Sequence, residues 1–308
     1  MQKSTEKIES QDINGIIAAV NTPYQEDGSI DTDSLRRFVD HYLACGVAGF
    51  LVPAMAAEVW KLSNQERALI VQTMVDQVSG RVPIIGGASA QDRESRLENA
   101  KMLTRLGCDG VLVSLPFEDH DSFRRDIMAV AETNPGFLVI QDWAFKGFGI
   151  PVVTIVQLFE EIPAFKHLKV EVAPAGFKYT EVIKATGGKL AVSGGWASTQ
   201  MIEGLDRGVN AFMSTILPDL YDRVYQRHAS GKREEAKQAF NELLPVIAFS
   251  HQHLDISIHF NKRVLWRQGI FSTPLVRDPI LPFDDYHIRV ADELIEYALS
   301  ISKPFEKP

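Results

Sequence analysis

The stretch HLKVEVAP, residues 167–174, decides how the rest of the chain is read. Leu168, Val170 and Val172 alternate with Lys169 and Glu171. Period-two alternation with β-branched residues is the mark of a β-strand, whose successive side chains point to opposite faces. On a half-exposed strand the two charges would face water. On a strand covered on both faces they would sit inside the protein and need a reason to be there. The question is therefore what kind of sheet this strand joins.

Working outward, strand-like and helix-like runs alternate in both directions. Upstream lie FLVIQDW (137–143), GVLVSL (110–115), VPIIGG (82–87), GFLVPA (49–54) and GIIAAV (15–20). Downstream lie LAVSGG (190–195) and NAFMST (210–215). Helical patterns fill the gaps. One is entered through Asp31-Thr32-Asp33 and stopped at Gly46. The next opens on the S-x-x-E capping box of Ser63 and Glu66 and runs to about Val78. A third stops at Gly107, as helices do at a C-terminal glycine. Others are expected near 121–132, 151–161 with Pro151 in its first turn, 179–185, 198–207 and 217–230. Strict β/α alternation implies a parallel sheet. Eight units in about 215 residues predict an α/β fold, the (β/α)8 TIM barrel. The competitor, an open doubly wound sheet, is disfavoured because no G-x-G-x-x-G follows the first strand and eight regular repeats suit closure. Residues 232–249, 253–269 and 284–300 read as three additional C-terminal helices packed on the barrel. The expected organisation is a flexible tail at 1–12, the barrel at 13–230 and a helical extension at 231–308. No Pro/Gly/Ser-rich linker separates the last two.

Composition sets outer limits. The 308 residues are 45% hydrophobic and carry a net charge of −8, with no basic run. That argues against nucleic acid and anionic membranes as partners. No apolar run approaches the roughly 20 residues of a membrane span, and the polar MQKSTEKIESQD start has no signal-peptide core. A cytoplasmic protein is expected. Cys45 and Cys108 read as small buried hydrophobes in a reducing compartment.

In a barrel, Leu168, Val170 and Val172 suit the helix side, so Lys169 and Glu171 point inward. Burying an unpaired ammonium costs several kcal/mol. An amine that sheds its proton to escape that cost is the nucleophile for Schiff-base formation. A purely structural ion pair, or a shallow and wet strand, remains open from the alternation alone. Lys166 and Lys178 are expected in flanking, solvated loops. Barrel active sites lie at the C-terminal strand ends, which here carry Asn21-Thr22, Glu58, Ser89, Ser114, Gln141-Asp142, Ser193 with Gly195 and Trp196, and Ser214-Thr215. His251 and His253 are two apart and share no helix face, so no metal site is expected there.

The order of GIIAAVNTPYQEDGSID, GRVPIIGGAS, LGCDGVLVSLP, the lysine strand and GVNAFMS resembles the dihydrodipicolinate synthase / N-acetylneuraminate lyase family of class I aldolases, from about Gly15 to the C-terminal helices. The resemblance implies that Lys169 forms a Schiff base with the keto carbon of a pyruvate-like unit, with no cofactor and no metal, and that the chain forms a homodimer or homotetramer. Departures are also visible. The family's Gly-Thr-Thr-Gly-Glu carboxylate loop is Ala54-Met55-Ala56-Ala57-Glu58 here, so binding would fall to backbone amides around Ala56 and Ala57. The proton-relay tyrosine aligns with Gln141, which cannot titrate. The tyrosine pair after strand four aligns with Phe117 and Glu118, and the substrate arginine roughly with Lys146. Asp142 and Glu171 are the candidates to replace the relay, and Trp143 and Trp196 are candidate pocket walls, though a tryptophan at such a position is more often core packing. The expected activity is a lyase, an aldolase or a dehydratase, acting on a 2-keto acid such as a 2-keto-3-deoxy sugar acid or a related hydroxy-keto acid. The alternative is a barrel that binds such a small molecule without turnover.

Overall fold

The computed structural model describes residues 13–144 and 146–304; the expected tail at 1–12 lies outside them. Eight strands alternate with eight helices. They are β1 (Gly15–Ala19), α1 (Thr32–Ala44), β2 (Gly49–Leu51), α2 (Asn64–Val78), β3 (Ile84–Gly87), α3 (Arg93–Leu106), β4 (Gly110–Ser114), α4 (His120–Ala131), β5 (Phe137–Ala144), α5 (Val152–Glu161), β6 (Phe165–Val172), α6 (Ala175–Ala185), β7 (Ala191–Gly194), α7 (Met201–Asp206), β8 (Ala211–Ser214) and α8 (Pro218–Ala229). The strands pair in chain order, all parallel, and β8 returns to β1. The sheet is a closed barrel, which rules out the open alternative. Helices α9 (Arg233–Ser250), α10 (Leu254–Arg267) and α11 (Asp285–Ile301) follow.

Strand alternation splits the core in two. Leu168, Val170 and Val172 join the large apolar layer between barrel and helices. Ile17, Leu51, Ile85, Phe137 and Val139 form a separate inner cluster that plugs the N-terminal half of the barrel. Local signals set the helix ends. Ser63 and Glu66 form a reciprocal capping box, and Gly107 closes α3 with φ 97°, where a side chain would be strained.

The two lysines expected in solvated loops belong elsewhere. β6 begins at Phe165, so Lys166 lies within the strand. α6 begins at Ala175, directly after Pro174 at its N-cap, so Lys178 falls inside the helix and is buried. Its ammonium is drawn there by the Asp142 carboxylate, 2.9 Å away. Cys45 and Cys108 are free and buried, and burial pushes both thiols up to about 12. Among the described residues no helix is long and apolar enough to cross a membrane.

Candidate active site

The parallel register sets Gln141 beside Lys169 and Trp143 beside Glu171. It also sets Lys169 beside Ser193. Because alternate residues share a face, these side chains belong to the barrel interior above the apolar plug. Lys169 is 8% exposed. Its Nζ lies 3.1 Å from Oε2 of Glu171, so the amine is buried and paired rather than isolated. Glu171 is held from two further directions. The Gln141 side-chain amide donates to Oε2, and the Trp196 backbone N–H donates to Oε1 at 2.7 Å. Trp196 has φ 48°, a left-handed backbone unusual for so large a residue. Gly195 is needed for space: a Cβ there would stand 2.1 Å from Glu171 Oε1. Such a buried charge pair persists only with its remaining lone pairs satisfied, and the Gln141 and Trp196 donors supply that.

A cavity of about 80 Å³ opens over this pair. Gln141, Trp143, Trp196 and Ala56 line it, as do Met55, Thr215, His251, Leu254 and Ser257. One wall is the turn after β2. Asn21 Nδ2 donates to the Ala56 carbonyl and Thr22 Oγ1 to the Ala57 carbonyl, both at 2.7 Å. The Ala57 and Glu58 amides are consumed by the carbonyls of Ala54 and Met55. The amides of Met55 and Ala56 open this 3-10 turn, and the first amides of a turn have no acceptor within it. The turn ends at Glu58, left-handed at φ 56° and fully buried. Its carboxylate accepts from Lys262, from Lys61 at 3.0 Å and from the Arg277 amide at 3.2 Å. Burial holds Lys262 down at about 8 against the pull of Glu58. Glu58 is thus a strut joining the turn to α10.

Several expected site residues fall elsewhere. Asp142 occupies the outward position of β5; it pairs with Lys178 and accepts the Ile150 amide at 2.9 Å, so the barrel wall separates it from Lys169. Ala57, the last residue of the turn, is buried and its amide is taken by the Ala54 carbonyl. Lys146 is exposed on the loop after β5 and does not line the cavity. Ser193 is fully buried, level with Lys169, and its Oγ has no partner among the described residues. Gly195 borders a second cavity of about 420 Å³ behind Trp196. Strand-end reasoning missed His251. It meets Trp196 edge-on at 5.4 Å between ring centres, and burial pushes its imidazole down to about 4. Only the return of the α9 C-terminus over the barrel mouth brings it there. Among the described residues no three His, Cys, Asp or Glu side chains are grouped to hold a metal ion.

Beneath Lys169, two residues back on the same face, His167 is fully buried with neither ring nitrogen partnered among the described residues. Desolvation lowers it from 6.5 to about 4. Between those values the unfolded chain binds a proton that the folded protein does not, so this group's contribution to stability falls as pH drops from about 6.5 to 4. The loss is on the order of 3 kcal/mol. Urea unfolding of wild type and His167→Leu at pH 7 and pH 4.5 checks it. The variant is expected to show the flatter profile; equal slopes would refute it.

A buried amine beside a firmly held carboxylate, in a small cavity under a turn whose first two amides have no acceptor within it, can form an imine with a keto acid and move protons around it. The model described as the dihydrodipicolinate synthetase family matches residues 12–297. The 4-hydroxy-tetrahydrodipicolinate synthase of Xanthomonas campestris pv. campestris is 27% identical over 309 residues, covering 94% of this chain and 96% of that one. That of Sorangium cellulosum is 28% identical over 245 residues, covering 75% and 79%. The crystal structure of dihydrodipicolinate synthase from Rhodopseudomonas palustris aligns with a TM-score of 0.87 at 23% identity, over 94% of this chain and 99% of that one.

Proposed function

The chain belongs to the dihydrodipicolinate synthetase family and is an enzyme of the class I aldolase type; from that premise we propose that it is a pyruvate-forming lyase in which Lys169 makes the imine and Glu171 moves the protons. The observation that carries this reading is the 3.1 Å approach of Lys169 Nζ to Glu171 Oε2 inside the barrel. Lys169 gives its proton to the carboxylate and attacks the C2 carbonyl of a 2-keto acid. Water leaves, and the protonated imine becomes an electron sink. With a hydroxyl on C4, loss of its proton breaks the C3–C4 bond, releasing an aldehyde and leaving the enamine of pyruvate. Protonation at C3 and hydrolysis free pyruvate and restore Lys169. Dehydration across C3–C4 would draw on the same sink. Gln141, at the position of the family's relay tyrosine, acts by holding Glu171. The substrate carboxylate is assigned to the amides of Met55 and Ala56, two residues that line the cavity, in place of the missing threonines. Asp142, beyond the barrel wall, takes no part. A 2-keto-3-deoxy sugar acid and other 4-hydroxy-2-keto acids share this reacting unit. A homodimer or homotetramer in the cytoplasm completes the reading.

Borohydride reduction in the presence of pyruvate tests it. The expected product is a reduced adduct mapped by mass spectrometry to Lys169. Glu171→Gln, which removes the group that takes the Lys169 proton, is expected to form that adduct more slowly while kcat for cleavage of a 4-hydroxy-2-keto acid falls about 10²–10⁴-fold, the usual scale for losing an acid–base group. A folded protein that gives no adduct, or an adduct on another lysine, would overturn the proposal.

A further inference from the structure

Beside the cavity over Lys169 lies a chamber of about 580 Å³ that shares Ala54, Met55, Gln141, Trp143 and Leu254 with it as common wall. This is the size of a pocket for a sizeable organic group. Its further walls are Val59, Trp60, Leu112, Leu115 and Pro116. Among its described lining residues none is an Asp, Glu, Lys or Arg, and the side-chain amides are those of Gln91 and Gln141. Two of its hydroxyls are already used for structure. Ser89 Oγ accepts the Ser114 amide at 2.9 Å, and Ser114 Oγ donates to the Gln141 carbonyl at 3.5 Å. Trp60 and Trp143 are 49% and 43% exposed, and both border this one hollow. Large aromatic side chains left open to solvent around a concavity mark a surface meant to be covered. Trp60 lies on the short turn between Glu58 and Lys61, both anchored in the buried ion network, so its backbone is held in place.

A polyhydroxylated tail would lose its hydration here against walls with few free donors or acceptors, and each unpaired hydroxyl would cost free energy. An aldehyde bearing an amino and a carboxylate group would meet no opposite charge. A flat apolar ring would bury well and stack on indole. We propose that this chamber seats the aldehyde half of the substrate and that this half is an aryl group. The substrate is then a 4-aryl-4-hydroxy-2-oxo acid, and this assignment rests on the Schiff-base reading above. The C2 carbonyl oxygen leaves as water when the imine forms. The C4 hydroxyl proton passes to the site base, C3–C4 breaks, and its electron pair moves into the imine. The products are an aromatic aldehyde and, after hydrolysis returns the water, pyruvate.

The test runs the reaction toward condensation. Full-length protein and pyruvate are supplied with benzaldehyde, 2-naphthaldehyde, hexanal, glyceraldehyde or aspartate semialdehyde, and product formation is followed by chromatography. The aryl aldehydes are expected to show kcat/KM at least about 30-fold above glyceraldehyde and aspartate semialdehyde, the scale at which an apolar pocket discriminates. Trp60→Ala is expected to raise KM for 2-naphthaldehyde about tenfold, and Trp60→Phe to restore most of it. A preference for either polar aldehyde, hexanal equal to the aryl compounds, or no effect of Trp60→Ala overturns the chamber assignment. So does a Trp60 that becomes covered on self-association and leaves no room for aldehyde. Borohydride trapping with pyruvate alone separates the two levels. An adduct without aryl preference removes only this inference; no adduct removes the mechanism beneath it.

Discussion

Lys169→Ala and Lys169→Arg should both abolish the borohydride adduct and lower kcat/KM by at least about 10⁴-fold, the scale at which removing a covalent nucleophile acts. The pair of variants is needed because Lys169 has two roles. It is the only amine positioned beside Glu171 among the described ion pairs, and it is the cation that balances a carboxylate with 8% side-chain exposure. Alanine removes both and leaves Glu171 with only the Gln141 amide and the Trp196 N–H. Losing one partner of a buried pair costs about 3–5 kcal/mol in unfavourable cases, and the two remaining donors should reduce that. Arginine keeps the charge but cannot form an imine. If the mechanism is right, arginine is as dead as alanine and melts closer to wild type. If arginine retains activity within tenfold of wild type, the lysine is a structural cation and the imine chemistry is wrong.

The largest stability effect is expected from Lys262→Met, a loss of about 3–5 kcal/mol read from the urea midpoint. Lys262 and Glu58 are both fully buried. The ammonium also donates to the Leu275 carbonyl at 3.0 Å and sits 4.1 Å from the centre of the Tyr24 ring. Methionine fills the volume but leaves the Glu58 charge with Lys61 and one backbone amide. The double variant Lys262→Met/Glu58→Gln should recover more than half of the loss, because the penalty lies in the stranded charge and not in the missing contact. Adduct yield at low pyruvate should also fall in the single variant, since Glu58 ends the turn to which the substrate carboxylate is assigned. A single variant within about 1 kcal/mol of wild type would show that the network tolerates an unpaired carboxylate.

The residues differ in how far the sequence alone could place them. Lys169 and Glu171 were legible because alternation within a strand is a local property, set by backbone geometry. The same rule, applied to Gln141 and Asp142, puts one inside and one outside. Chain order does not say which until the β5–β6 register pairs Gln141 with Lys169. Asp142 therefore looked as suitable as Glu171 for acid–base work. Lys178 looked solvated because helix starts blur over a few residues, and the partner that buries it comes from another strand. His251 carried no signal, being far along the chain just past the end of α9, with no periodic tie to the barrel.

The eight-fold β/α alternation, the closed barrel it implies and the inward lysine–glutamate pair are written in short-range periodicity and turn chemistry, which the chain carries residue by residue. What surrounds that pair came from long-range packing: Gln141 and the Trp196 amide on Glu171, the Glu58–Lys262 strut, the Asp142–Lys178 pair outside, and the tryptophan-lined chamber. These join residues up to 204 positions apart. Barrel closure and the return of the last three helices bring them together, and no local pattern records distances across a closed sheet.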